Sequence, residues 1–225
     1  MATHLDLEEQ EQLDQLKSFW KQYGNLITWV LIAVLGAYAA WNGWNYWQRT
    51  QAVQAGAMFD ELDAAAQAGD AERAGRVFAD MQSRYPRTAF TEQAGLLAAK
   101  TQFEKGQLEA ARGSLSWVSE HATQEEYKTV ARLRLAGLLL DEKKYDEALK
   151  QLEGASSPPF AALVDDRRGD IFLAQDKRDE ARAAYLRAWT AMAANVDYRR
   201  LIDAKLNTLG TDPLASAPIA GAAAK

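Results

Sequence analysis

Cysteine is absent from the 225 residues, which excludes disulfides, thiolate metal sites and a cysteine nucleophile. Histidine is almost absent: His4 and His121 stand far apart in the chain, too few and too distant for an imidazole-based centre. Proline (5) and glycine (14) are sparse while alanine is abundant, a balance that favours helix. A basic excess is missing as well, and a net charge of −5 argues against a nucleic-acid partner. What remains, 48% hydrophobic and 25% charged residues, is the composition of a chain that can bury a core.

Charge is also missing locally. Residues 22–48 form a run of 27 without an acid or a base, and 26–40 (LITWVLIAVLGAYAA) is almost wholly apolar. At ~1.5 Å rise per residue such a run reaches about 40 Å as a helix, enough to cross a bilayer with its interfaces. A buried soluble helix of that length would show a polar face, and none appears before Asn42. Five of the seven tryptophans (Trp20, Trp29, Trp41, Trp44 and Trp47) lie in or beside the run. Trp41, Trp44, Tyr46 and Trp47 gather at its C-terminal end, where amphipathic rings anchor at the headgroups. Ala37-Tyr38-Ala39 has the form of a signal-peptide cleavage site, but the preceding tail is acid-rich (Asp6, Glu8, Glu9, Glu11, Asp14) rather than basic. The segment is therefore expected to be an anchor. Lys17 and Lys21 before it against Arg49 after it favour an N-terminus in the cytoplasm and an exported C-terminal part. Ala33, Gly36, Ala37, Ala40 and Gly43 recur at steps of three and four, a stripe through which a second membrane helix could approach.

Beyond Arg49 the pattern repeats. A turn residue is followed by an acidic stretch, then an alanine, then a large apolar residue four positions on. The four instances begin at Gly69, Gly106, Lys143 and Asp176, with marker alanines Ala74, Ala111, Ala148 and Ala181 and large residues Phe78, Leu115, Leu152 and Tyr185. The markers are 37, 37 and 33 residues apart, close to the ~34-residue helix–turn–helix period of tetratricopeptide repeats. Twelve positions before each marker, where the partner helix should supply a small residue, stand Leu62, Ala99, Ala136 and Gly169, so the first unit is expected to be distorted. The large residue is expected to fill the groove of the next pair. Pro86 and Pro158-Pro159 stop helices between units, because proline cannot continue one.

The predicted architecture is all-α: one N-terminal transmembrane helix, then a tetratricopeptide-like solenoid of helical hairpins. Its divisions are a tail over 1–21 with a short amphipathic helix over 7–20 (Leu13, Leu16 and Trp20 on one side), a span over 22–48, and a domain of about four degenerate repeats over 49–209. Residues 198–206 are expected to cap the stack, and the Ala/Pro-biased 210–225 to be disordered. Trp117 and Trp189 are read as core before ligand anchors.

No catalytic set is legible. His121 stands alone, Asp165 and Asp166 point apart on a helix and read as charges near its start, and Asp141-Glu142-Lys143-Lys144 reads as a solvated turn. Glycine-rich phosphate loops and nucleophile elbows are missing. The chain is read as a protein-binding module rather than an enzyme, without cofactor, metal, nucleic acid or small-molecule substrate.

Several stretches resemble the YfgM-type ancillary subunits of the bacterial Sec translocon. They are Leu16-Lys17-Ser18-Phe19-Trp20 with Gly24, Trp44-Asn45-Tyr46-Trp47, TVARLRLAGLLLDEKKYDEALKQLEG (129–154), FAALVDDRRGDIFLAQDKRDEARAAYLRAW (160–189) and AKLNTL (204–209). The stretch from Val164 through Tyr185 is the most specific part, because generic tetratricopeptide repeats do not share its ValAspAspArgArgGlyAsp run. The resemblance implies an inner-membrane protein with a periplasmic repeat domain. It also implies association with the SecYEG channel and a membrane-bound periplasmic chaperone, service to newly exported polypeptides, and a link to envelope stress signalling. The competing expectation is a structural organiser of another envelope complex, for division or outer-membrane assembly, because the fold alone does not choose.

Overall fold

The structure, a computed structural model, describes residues 7–213; His4, Asp6 and the greater part of the predicted C-terminal tail lie outside it. Among the described residues the regular elements are helical. They are α1 (Leu7–Gln67), α2 (Ala71–Arg84), α3 (Ala89–Glu104), α4 (Leu108–His121), α5 (Glu125–Asp141), α6 (Tyr145–Glu153), α7 (Ala161–Ala174), α8 (Arg178–Ala191) and α9 (Tyr198–Thr208), with a 3-10 turn at Pro158–Phe160. Contacts divide the chain into two units between Gln51 and Ala52.

The expected short helix over 7–20 is not separate. It is the start of one helix that runs through the apolar stretch to Gln67. No proline interrupts residues 7–67, and none of the glycines there has a positive φ, so no residue in that stretch forces the hydrogen-bond ladder to stop. Gly24 lies beneath the Trp20 ring, 3.2 Å from where a Cβ would sit.

In the second unit, four turns are built alike. Gly69, Gly106, Lys143 and Asp176 all have φ between 60° and 73°. Behind each, the following N–H reaches back five residues: Asp70 to Ala65 O, Gln107 to Gln102 O, Lys144 to Leu139 O and Lys177 to Phe172 O, at 2.8–2.9 Å. These are Schellman closures, which satisfy the last carbonyls of the outgoing helix. The same four residues then accept the N–H of Ala74, Ala111, Ala148 and Ala181 at 3.0 Å, opening the next helix. The repeating motif is thus a turn device. It ends one helix and starts its partner within three residues.

All four marker alanines are fully buried, and Phe78, Leu115, Leu152 and Tyr185 are buried with them. Leu62 is buried as well, and the first pair closes with the same turn as the others, so its departure is confined to one larger side chain. That pair is antiparallel: Arg73 on α2 meets Glu61 on α1 at 2.9 Å, and the Tyr85 hydroxyl donates to Gln54 Oε1 at 3.1 Å. Phe78 fills the next pair as expected, occupying the space above Gly95 on α3. Tyr185 does not. Its ring lies over Gly169 in its own pair, because the element that follows is the single helix α9 rather than another hairpin.

Three apolar clusters follow one another along the chain: one over α1–α5, one around α5–α7, and one joining α8 to α9. This serial core is the signature of a solenoid, in which a unit buries its apolar face only against its neighbours. α9 closes the series by burying Ile202 and Leu206. Gly210 (φ 73°) terminates it, and Pro213 is fully buried, so packing continues a few residues past the predicted domain end at 209.

Candidate interaction surfaces

In the first unit, residues 26–40 are exposed except Ile27, which is half-buried. A core helix of a soluble protein would be covered. This one shows Leu26, Trp29, Leu35 and Tyr38 with more than half of each accessible. Polar side chains within the stretch close on their own backbone: Thr28 Oγ1 donates to Gly24 O at 2.8 Å and Asn42 Nδ2 to Tyr38 O at 3.0 Å. Internal satisfaction of that kind is what a hydrocarbon environment demands. Trp41, Trp44, Tyr46 and Trp47 are exposed, with the Trp44 and Trp47 rings 5.2 Å apart and tilted by 40°. Ala33, Gly36, Ala37, Ala40 and Gly43 are exposed, and a Cβ on Gly36 or Gly43 would meet nothing within 4 Å.

In the repeats a concavity of about 430 Å³ lies among α3, α4, α5 and α7. It combines Phe103 and Leu133 with three cations, Lys100, Arg134 and Arg167, against one carboxylate, Asp141. Arg134 Nη1 donates to Leu96 O at 2.8 Å. Its partial burial draws the guanidinium below its ordinary pKa.

A third cluster corrects the reading of Asp165 and Asp166 as charges near a helix start. Asp166 is buried, and its carboxylate accepts two hydrogen bonds from Lys205 Nζ (2.8 and 2.9 Å) and one from the Tyr198 hydroxyl (2.8 Å). Asp170, one turn on, accepts from the same ammonium at 2.7 Å and from the Tyr185 hydroxyl at 2.8 Å. Asp165 points elsewhere, to Arg168 at 3.2 Å and Arg187 at 3.3 Å. Burial first, and then the hydrogen bonds to Asp170 and Asp166, push the Tyr185 and Tyr198 phenols well above their ordinary pKa. The ValAspAspArgArgGlyAsp run is therefore the seat of the capping helix: two acids hold Lys205 of α9, and Gly169 makes room for Tyr185. Arg199 of α9 adds a stack over the Trp189 ring at 3.8 Å.

Other sequence candidates are placed as follows. Trp117 is half-buried, edge-on to Phe78, and carries His121 stacked on its outer face 5.1 Å away. Glu142, expected in a solvated turn, bridges Arg112 of α4 and Lys144, and these hydrogen bonds lower its pKa. Glu92 is a fully buried acid that the sequence did not flag; it accepts Thr123 N–H at 2.7 Å and Thr123 Oγ1 at 2.6 Å, fixing the turn into α5. The acids that burial singles out thus hold structural partners.

The serial hairpins, their repeated turn and the one exposed apolar helix among the described residues define a tetratricopeptide-like solenoid following an N-terminal transmembrane helix. A family model for the tetratricopeptide repeat-like domain matches residues 17–211. The ancillary SecYEG translocon subunit of Neisseria gonorrhoeae is 32% identical over 210 residues, covering 93% of this chain and all of the relative. Its namesake in Haemophilus influenzae is 27% identical over 182 residues (81% and 89% covered), and that in Escherichia coli 28% over 179 (79% and 85%). No solved structure matches. The chain belongs to the tetratricopeptide repeat-like family of the ancillary SecYEG translocon subunits.

Proposed function

We propose that this protein is a membrane-anchored binding scaffold of the Sec translocon that assists newly exported polypeptides together with periplasmic folding factors. One observation carries the reading: similarity to the relatives runs through the apolar helix and the repeats alike, covering 93% of this chain in the Neisseria comparison. Anchor and binding domain are thus shared as a unit. A tether confines the repeats to two dimensions and raises their effective concentration near membrane partners. In this reading residues 22–48 span the inner membrane and residues 49–209 form the binding domain. Trp41, Trp44, Tyr46 and Trp47 sit at one interface, and the Ala33–Gly43 stripe receives a helix of the channel. Lys17 and Lys21 against Arg49 support a cytoplasmic N-terminus and a periplasmic repeat domain.

A photocrosslinker at Ala37 or Ala40 tests the proposal. Capture of channel subunits is expected; capture of a division or outer-membrane assembly complex in their place overturns it. Protease added outside the inner membrane should digest residues 50–209, and their protection would reverse the topology.

A further inference from the structure

The groove among α3, α5 and α7 carries charge opposite to that of the chain around it. The whole protein is at −5, yet the groove offers Lys100, Arg134 and Arg167 against Asp141 alone. These cations are weakly committed. Among the described residues Lys100 has only Glu104 of its own helix at 3.8 Å, and Arg167 only Asp170 at 3.7 Å, whose other oxygen is already held by Lys205 and Tyr185. Among the described residues Arg134 has no carboxylate within ion-pair distance; a carbonyl takes one of its donors. Arg134 and Arg167 also occupy equivalent places, each fourteen residues before its marker alanine, so successive repeats present a guanidinium to the same groove. Beside them Phe103 is 47% exposed, an apolar surface left open next to loosely paired charge. Gly137 on the groove floor leaves room for the Arg167 guanidinium, whose Nη1 lies 3.8 Å from where a Cβ would sit.

We infer that this groove binds an extended polypeptide segment in which carboxylate side chains alternate with large apolar ones, the acids on Arg134 and Arg167 and an apolar residue on Phe103. The planar guanidinium suits a carboxylate bidentately, and two of them on neighbouring helices read spacing as well as charge. A lone arginine on a surface needs no ligand. Two at equivalent repeat positions, neither closely paired, beside an open aromatic ring, form a recognition pattern. The inference rests on the scaffold reading above and names the chemistry of what the scaffold holds.

The test uses the full chain in detergent and a fluorescently labelled peptide of about ten residues alternating Asp with Leu, long enough at ~3.3 Å per residue to cross the groove. Its counterpart has Asn for every Asp. The acidic peptide should bind at least about tenfold more tightly, with the advantage shrinking as salt rises. Arg167→Gln and Arg134→Gln should each cost about fivefold to tenfold, with unchanged melting temperature showing an intact fold. Arg76→Gln, on the exposed face of α2, should cost nothing. Equal binding of the two peptides, or acidic-peptide binding indifferent to both groove variants, overturns the proposal. So does protection of α5 amides from hydrogen exchange by phosphatidylglycerol nanodiscs, but not phosphatidylcholine ones, in the absence of peptide binding; that assigns the cations to lipid headgroups. A failure here with the channel crosslink at Ala37 intact leaves the translocon reading standing, whereas loss of the crosslink with peptide binding intact removes that reading alone.

Discussion

Small residues do opposite work in the two units. In the repeats, Ala74, Ala111, Ala148 and Ala181 are fully buried, and a methyl on Gly95 or Gly169 would collide with Phe78 and Val118 or with Tyr185. In the apolar helix, Ala33, Ala37 and Ala40 are exposed, and Gly36 and Gly43 have open space where a Cβ would go. The same residue types mark a contact already made in one region and a contact left open in the other. Water explains the first case, since burying the apolar face of a hairpin needs close helix approach. Lipid offers no such drive, so a small-residue face there is useful only to a partner helix.

The largest expected effect lies where the repeats are most committed. Lys205→Met leaves Asp166 buried without its cation and should cost about 3 kcal/mol, because an uncompensated buried charge is expensive. Thermal unfolding of the full chain in detergent measures it. Asp166→Asn combined with Lys205→Met should recover part of the loss, and a double variant as unstable as the sum of its parts would refute the pairing.

The contrast between the regions can be broken directly. Gly169→Ala should cost about 2 kcal/mol by overpacking against Tyr185. Gly36→Ala should leave the repeats' melting unchanged and reduce only the crosslinking of a membrane partner. If Gly36→Ala lowers the melting of the repeats, the open stripe is not open.

Alkaline titration gives a third measure. The phenols of Tyr185 and Tyr198 are raised by burial and by Asp170 and Asp166, so the fold favours their protonated forms. Their stabilisation is whole below pH about 10, the ordinary tyrosine value, and is lost as pH climbs above it. Melting temperature should fall in that range, and Tyr185→Phe with Tyr198→Phe should flatten the fall.

The smallest effect has the opposite sign. Lys143 holds the left-handed conformation that Gly69 and Gly106 hold freely, so Lys143→Gly should stabilise the third hairpin by about 1 kcal/mol. Denaturant unfolding would detect it. A loss of stability would mean that the Lys143 side chain contributes more than the turn costs.

Much of this was legible because it is local. The turn, marker alanine and large residue keep a fixed spacing within each motif and recur every 33–37 residues, and the chemistry linking them spans ten residues or fewer. The uncharged run and its aromatic end are equally self-contained. Asp166 was misread for the converse reason: its partner Lys205 is 39 residues away, and adjacent acids on a helix look alike until packing buries one and exposes its neighbour. Continuity of α1 was missed because the reading divided the chain by environment, water against lipid, whereas backbone hydrogen bonding is indifferent to that boundary.

Sequence alone therefore determined that the chain is helical, repetitive and anchored by one apolar segment, since periodicity, turn chemistry and hydropathy act over a few neighbouring residues. Only the tertiary structure decided that Asp166 and Asp170 seat the last helix, that Tyr185 serves its own hairpin, and that arginines one repeat apart open onto one groove. Those outcomes depend on which surfaces meet when the hairpins stack, and stacking joins residues that no local pattern connects.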